Sequence, residues 1–287
     1  MTNPEKQTTV AVLGTGLMGA GMAHSLARAG LDVTVWNRSA DKAHALDLPV
    51  AEDPTAAVAG KDLVVTMLFD EDAVTSVMTA ALPSCRADTV WLQMSTVGLA
   101  ATTRLADLAK QHGIAYVDAP VLGTRQPAAN GQLTVLAAGP ASTRVAVAPA
   151  LDAVSAKTVW VSERPGDGHR LKLVANAWVL SVVGGTAQSV ALAERLGLDP
   201  RQFLDLIAGG PLDSAYAQLK GKAMLADDFT PAFALGGAAK DAGLIRAAMA
   251  EVGVADGLMR ALENLFTAAG DQDDDMAAVI RALRGDT

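Results

Sequence analysis

Cysteine is nearly absent from this chain: Cys85 is the only one in 287 residues. A single thiol excludes an intramolecular disulfide framework and a cysteine-built metal site, so the expected compartment is a reducing one, the cytoplasm. Histidine is also scarce. The four copies, His24, His44, His112 and His169, are scattered without an H-x-x-x-H pair, and no metal is expected. Aromatic residues make up 4% of the chain while Ala and Gly abound, which points to close helix contacts filled by small side chains. Positive charge is in deficit: 23 Lys and Arg stand against 31 Asp and Glu, a net charge of −8. Without a dense basic cluster, a nucleic-acid partner is not expected. The N-terminal MTNPEKQTT lacks an apolar core of the signal-peptide kind.

Long apolar runs are rare, with one exception. Residues 173–193, LVANAWVLSVVGGTAQSVALA, carry no charge over 21 positions, enough to span a bilayer. Asn176, Ser181, Thr186, Gln188 and Ser189 interrupt the run, and those groups are costly in lipid. The segment therefore reads as a buried helix of a protein with no membrane partner. A helix that is apolar all round needs cover all round. A second subunit supplies it, so a homodimer or higher even oligomer through the helical region is expected.

Up to about residue 160, short β-rich runs alternate with helical patterns. TVAVLG (9–14), DVTVW (32–36), DLVVTML (62–68), TVWLQM (89–94), IAYVDA (114–119), QLTVLAAG (132–139) and KTVWVS (157–162) are the strands. Strand–helix alternation argues for an α/β Rossmann-type doubly wound domain with a mostly parallel sheet. After Gly168 the alternation stops. Helical segments are expected near 168–196, 200–208, 213–226, 236–252, 255–269 and 274–284, forming an all-α domain joined to the first by a long helix. The boundary falls near SERPGD, giving domains 1–165 and 166–287. The acidic DQDDD (271–275) reads as a solvated loop and helix start.

VAVLGTGLMGAGMA sets G-x-G-x-x-G (Gly14, Gly16, Gly19) directly after the first strand and at the opening of a helix. In that context the pattern is specific for a dinucleotide. Gly14 permits the turn, Gly16 admits the pyrophosphate, Gly19 lets helix and sheet approach, and the helix N-terminus faces the anion. The second strand ends in Asn37-Arg38-Ser39, where an NAD-specific fold places an acid for the ribose 2′-OH. Arg38 suits a 2′-phosphate instead, with hydrogen bonds from Asn37 and Ser39, so NADP(H) is the expected cofactor.

Four further stretches, MSTVG (94–98), DAPVLGTRQPAANGQL (118–133), GDGHRLKLVAN (166–176) and PAFALGGAAKD (231–241), complete a pattern. With the glycine loop, and in this order, they resemble the β-hydroxyacid dehydrogenase family, 3-hydroxyisobutyrate dehydrogenase-like. The nearest likeness is to its glyoxylate/succinic semialdehyde reductase branch. The resemblance implies hydride transfer between NADPH and a small aldehyde or oxo acid, or the corresponding hydroxy acid. It places the catalytic lysine on Lys172, in G-x-G-x-x-x-K, and a partner asparagine on Asn176. The spacing i, i+4 sets both on one helix face. A lysine near a helix N-terminus opposes the dipole, and a site that depresses its pKa suits proton donation to a carbonyl.

The same resemblance puts Leu17, Met18, Met67 and Leu68 beside the cofactor, with Ser95 and Thr96 at the nicotinamide ribose and substrate edge. Lys240 approaches both cofactor and substrate. Ser95 and Thr96 also precede an apolar helix and could cap it. The substrate loop departs from the family's D-A-P-V-S-G-G. Leu122 replaces the serine, leaving the backbone N–H groups of Gly123 and Thr124 and the Thr124 hydroxyl for a carboxylate. Ala175 stands where the family often has a first asparagine. Two other functions compete: an imine reductase, which Leu122 permits and Lys172 opposes, and a non-catalytic NADP-binding scaffold, which Lys172 also opposes.

Overall fold

A computed structural model describes residues 7–285. The chain divides into two compact units, 1–172 and 173–287, and the division falls inside a single helix.

In the first unit the elements run β1 (Thr9–Leu13), α1 (Gly19–Arg28), β2 (Asp32–Trp36), α2 (Ala40–His44), α3 (Pro54–Val58), β3 (Leu63–Thr66), α4 (Glu71–Ala81), β4 (Val90–Gln93), α5 (Leu99–Gln111), β5 (Ala115–Asp118), β6 (Val121–Leu122), α6 (Arg125–Ala129), β7 (Leu133–Ala138), α7 (Arg144–Val154) and β8 (Ser155–Ser162). The sheet has eight strands in the order β2-β1-β3-β4-β5-β7-β6, with β8 pairing β7. Strands β2, β1, β3, β4 and β5 are parallel neighbours. Strand β7 pairs antiparallel with β5 and β6 and parallel with β8. This is the doubly wound Rossmann-type sheet expected from the strand–helix alternation.

Strands β1, β3 and β4 read as continuous apolar runs because helices cover both faces. Along β1, Val10 and Val12 enter one core with Met22 and Leu26 of α1 and Val147 and Leu151 of α7. Ala11 and Leu13 enter the other with Val74 and Met78 of α4 and Leu105 of α5. The register aligns the strand ends: Leu13 pairs with Trp36 and with Thr66, Thr66 with Gln93, and Gln93 with Asp118. Everything that follows these residues therefore emerges along one carboxyl edge. The order reverses at β1, whose neighbours β2 and β3 lie on opposite sides, and ligands of such sheets sit at that switch.

Helix α8 (Asp167–Arg195) opens in the first unit and continues through the second. The second unit adds α9 (Arg201–Ile207), α10 (Ala215–Ala226), α11 (Leu235–Val252), α12 (Gly257–Ala268) and α13 (Ile280–Arg284). Helix α8 is long and apolar enough to cross a membrane by length and composition, and less than half of its most apolar window is buried. Its buried positions, Leu173, Asn176, Leu180, Val183, Ala187 and Val190, follow helical spacing. Val174, Trp178 and Leu192 lie exposed on the opposite stripe.

The acidic run 271–275 is not wholly solvated, because Asp275 is buried in the second unit. Its carboxylate takes both bonds of a buried ion pair with Lys220 Nζ, at 2.6 and 2.8 Å. It also accepts the backbone N–H groups of Ala232, Phe233 and Ala277. A charge can leave water when every lone pair finds such a partner, and charge density along a sequence does not reveal that.

Candidate active site

The glycine loop follows β1. Gly14 has φ +105°, and a Cβ there would lie 2.3 Å from Met67 O. A Cβ on Gly19 would lie 1.9 Å from Gly14 O. Both glycines are thus required by the fold itself. Gly16 differs: it is exposed, and a Cβ there would meet nothing within 4 Å. The protein leaves the space over Gly16 open, and a pyrophosphate fits such a cradle. Next to it, the buried Thr15 hydroxyl has no hydrogen-bond partner among the described residues. Leu17 is exposed and Met18 half-buried beside it. These residues fit a dinucleotide.

Asn37, Arg38 and Ser39 emerge next to the loop, because Trp36 O accepts from Gly14 N at 2.8 Å. Asn37 braces the loop with both ends of its amide. Its Oδ1 accepts from Thr15 N at 3.0 Å and its Nδ2 donates to Ser39 O at 3.0 Å. Arg38 and Ser39 are exposed. Met67 and Leu68, half-buried, leave β3 beside Gly14, with Met67 N donating to Leu13 O at 2.9 Å.

Ser95 and Thr96 leave β4. Neither caps α5, whose N-cap residue is Gly98 with no side-chain cap bond. The Ser95 hydroxyl instead accepts from Leu68 N at 2.9 Å, linking the loops after β3 and β4. Gln93 braces the same turn, accepting from Ser95 N at 2.7 Å and donating to Ser95 O at 2.9 Å. Thr96 is half-buried. In the substrate loop, Leu122 is half-buried, Gly123 is exposed with φ +126°, and Thr124 leads into α6 without a side-chain cap bond.

Lys172 is buried, 8% exposed, in the second turn of α8. The helix begins where Asp118, the last residue of β5, meets it. Asp118 Oδ2 accepts from Gly166 N at 2.9 Å and His169 N at 3.0 Å. Asp118 Oδ1 pairs with His169 Nδ1. Both side chains are fully buried. A Cβ on Gly168 would lie 2.3 Å from Leu136 O, so the first turn seats directly on β7. Burial, with the Asp118 charge added, pushes the Tyr116 phenol well above its usual range. At the helix surface, hydrogen bonds from Arg164 and then Ser162 hold the Asp167 carboxyl down to about 2.

In the second unit, Asn176 is buried on α8, one turn after Lys172 in sequence. Its Nδ2 donates to the buried Asp241 Oδ2 at 2.6 Å. Lys240 Nζ lies 3.1 Å from Asp241 Oδ1, an ion-pair distance. Oδ1 accepts no hydrogen bond among the described residues. Three of these residues escape the sequence reading. In the sequence His169 is one of four scattered histidines, and Asp118 and Asp241 lie inside their motifs with no role assigned. The available signal is that Asp241 adjoins Lys240 and that His169 precedes Lys172 by three residues, on the same side of a helix.

The fold and the carboxyl-edge loops define an oxidoreductase architecture built around an NAD(P)-binding domain. Comparison with known proteins agrees. Residues 9–162 match the family model described as the NAD binding domain of 6-phosphogluconate dehydrogenase. Residues 166–283 match that described as NAD-binding of NADP-dependent 3-hydroxyisobutyrate dehydrogenase. The chain belongs to the β-hydroxyacid dehydrogenase family, 3-hydroxyisobutyrate dehydrogenase-like. It is 30% identical over 285 residues to the chloroplastic glyoxylate/succinic semialdehyde reductase 2 of Arabidopsis thaliana, covering 96% of this chain and 79% of that protein. The crystal structure of 3-hydroxyisobutyrate dehydrogenase from Salmonella typhimurium superposes with a TM-score of 0.88 at 25% identity, over 96% of this chain and 99% of that one. An imine reductase from Pseudomonas sp. shares the fold at 21% identity and a TM-score of 0.65, over 97% and 100% of the two chains.

Proposed function

We propose that this oxidoreductase is an NADPH-dependent reductase of a small aldehyde or 2-oxo acid, of the glyoxylate or semialdehyde class, reversible as a hydroxyacid dehydrogenase. Lys172 is the general acid/base. The observation that carries the reading is the burial of a lysine in the second turn of a helix whose start is held at the carboxyl edge of the sheet. Ligands of doubly wound sheets sit at that edge, so the lysine stands where a substrate would meet the cofactor.

Bound along the glycine loop, NADPH supplies the hydride. The chain's own residues do the rest. The amides of the loop and the α1 N-terminus take the pyrophosphate, with Leu17, Met18, Met67 and Leu68 lining the cofactor. Arg38 takes the 2′-phosphate as a charge-assisted fork, and Ser39 lies beside it. The second matched family model is described as NADP-dependent, which supports that choice. Thr96 lies at the substrate edge, and the amides of Gly123 and Thr124 hold the carboxylate. Lys172 Nζ gives its proton to the carbonyl oxygen and recovers one in the oxidative direction. Asn176 and Lys240 orient the substrate. The Leu122 side chain offers no hydrogen bond, which favours a substrate with an apolar segment beside its carboxylate. The exposed apolar stripe of α8 supports a homodimer through the helical unit.

The test is NADPH oxidation at fixed enzyme against glyoxylate, succinic semialdehyde, methylmalonate semialdehyde and tartronate semialdehyde, with cyclic imines alongside. Turnover of at least one carbonyl, and little of the imines, is the expected outcome. Turnover of imines alone transfers the protein to the imine reductase reading. NADPH binding without any turnover returns it to the scaffold reading.

A further inference from the structure

We propose that Asp118 and His169 form the positioning device of the lysine helix: one buried imidazole ties the first turn of α8 to the Ser95–Val97 loop, so that Lys172 and Thr96 are set relative to each other. This rests on Lys172 acting as general acid.

The ring is engaged at both nitrogens. Nδ1 meets Asp118 Oδ1, while Nε2 lies 3.2 Å from Val97 N and 3.0 Å from Ser95 O. An N–H can donate only to a bare nitrogen, so the Val97 contact requires Nε2 without a proton. The proton then sits on Nδ1 and is donated to Asp118. The bare Nε2 then faces Ser95 O at 3.0 Å, an unfavourable contact between two acceptors, while Ser95 O finds its donor in Gln93 Nε2 at 2.9 Å. The other tautomer would set the Nδ1 lone pair against the carboxylate and leave the buried Val97 N–H without an acceptor. An imidazolium would also orphan Val97 N–H. The neutral Nδ1–H form is the one that satisfies the loop.

The geometry makes this more than packing. Thr96 lies between the two backbone groups that face Nε2, Ser95 O and Val97 N. His169 precedes Lys172 by three residues and shares its side of the helix. Asp118 takes two backbone N–H groups of the helix start as well as the ring, and a carboxylate at a helix N-terminus is favoured by the dipole. Gly168 brings the same turn onto Leu136 O. The helix can neither slide nor roll without breaking the ring's bond to the loop. A side chain that filled the same volume without polar atoms would leave Val97 N–H orphaned and the two segments independent.

Two amide substitutions separate the ring's halves. In His169→Asn the shorter side chain sets its amide nitrogen at the Nδ1 position, keeping the bond to Asp118 while losing Val97. The longer amide of His169→Gln reaches the Nε2 position and can accept from Val97 N–H. The measurements are hydrogen exchange of the peptide containing Val97, steady-state kinetics on the carbonyl substrate found by the screen, and thermal unfolding of the full chain. In His169→Asn, exchange at Val97 is expected to rise roughly tenfold. Its kcat is expected to fall by about 10–100-fold with little change in KM for NADPH. His169→Gln should recover most of both at a similar melting temperature. Unchanged exchange at Val97 in His169→Asn overturns the proposal. So does a kcat within about twofold of wild type, or a Gln variant no better than Asn. Lys172→Ala run in parallel keeps the two readings apart. If it retains its rate while the exchange result holds, the lysine assignment falls and the tie between helix and loop stands.

Discussion

Asn176 donates its side-chain amide to Asp241 across 2.6 Å, with both groups buried in the helical unit. The carboxylate decides which way the asparagine points. A flipped amide would set oxygen against oxygen, so Nδ2 faces Asp241 and Oδ1 faces away from it. Asp241→Asn removes that preference. Its expected result is a kcat lowered by about tenfold, with unfolding easier by about 1–3 kcal/mol. Asn176→Asp, which opposes two carboxylates, should be worse than Asn176→Ala in both chemical denaturation and turnover.

The glycine loop separates fold from function. A side chain at Gly19 collides with Gly14 O, whereas one at Gly16 meets open space. Gly19→Ala is expected to lower the melting temperature and the yield of folded protein. Gly16→Ala should melt like the wild type and lose NADPH affinity, read by fluorescence titration. Equal melting losses in both would mean that Gly16 is held by the protein and not by a ligand.

Cofactor choice rests on Arg38, exposed at the end of β2. Wild-type protein should prefer NADPH, and Arg38→Asp should move the ratio of kcat/KM toward NADH by more than about tenfold, since a charge-assisted contact is worth roughly 1.5–3 kcal/mol. Comparable wild-type constants for the two cofactors would refute the assignment.

Lys172→Ala should reduce carbonyl reduction by roughly 10²–10⁴ while NADPH still binds. Lys172→Arg should be nearly as poor, because guanidinium does not release a proton near neutral pH. A solvent isotope effect on the wild type shows whether protonation limits the rate. If it does, an alanine variant that keeps over about a tenth of the rate excludes the lysine.

Trp178 is 70% exposed and Val174 68% exposed on one stripe of α8. Exposed apolar area of that kind is expected at an interface. Light scattering should give a dimer or a higher even oligomer at micromolar concentration. Trp178→Glu should shift it toward monomer without unfolding the chain.

The strands, the long helix and the glycine loop are legible in the order of residues because each rests on local rules. Period-2 and unbroken apolar runs, the 3.6-residue helix repeat and a strand–Gly–helix junction all act within a few positions. Lys172 and Asn176 stand out only through the resemblance of GDGHRLKLVAN to a family motif, and their spacing adds that they share one helix face. What the sequence could not reveal depends on distant segments meeting. Asp118 lies 51 residues from His169, Lys220 lies 55 from Asp275, and Asn176 lies 65 from Asp241. A buried charge is tolerated only when tertiary structure delivers its partners, and composition carries no record of that delivery. The chain order thus determined the architecture, the cofactor loop and the candidate lysine. Tertiary packing alone decided that a scattered histidine meets Asp118 at the start of the lysine's helix, and that one aspartate of an acidic run belongs to the core.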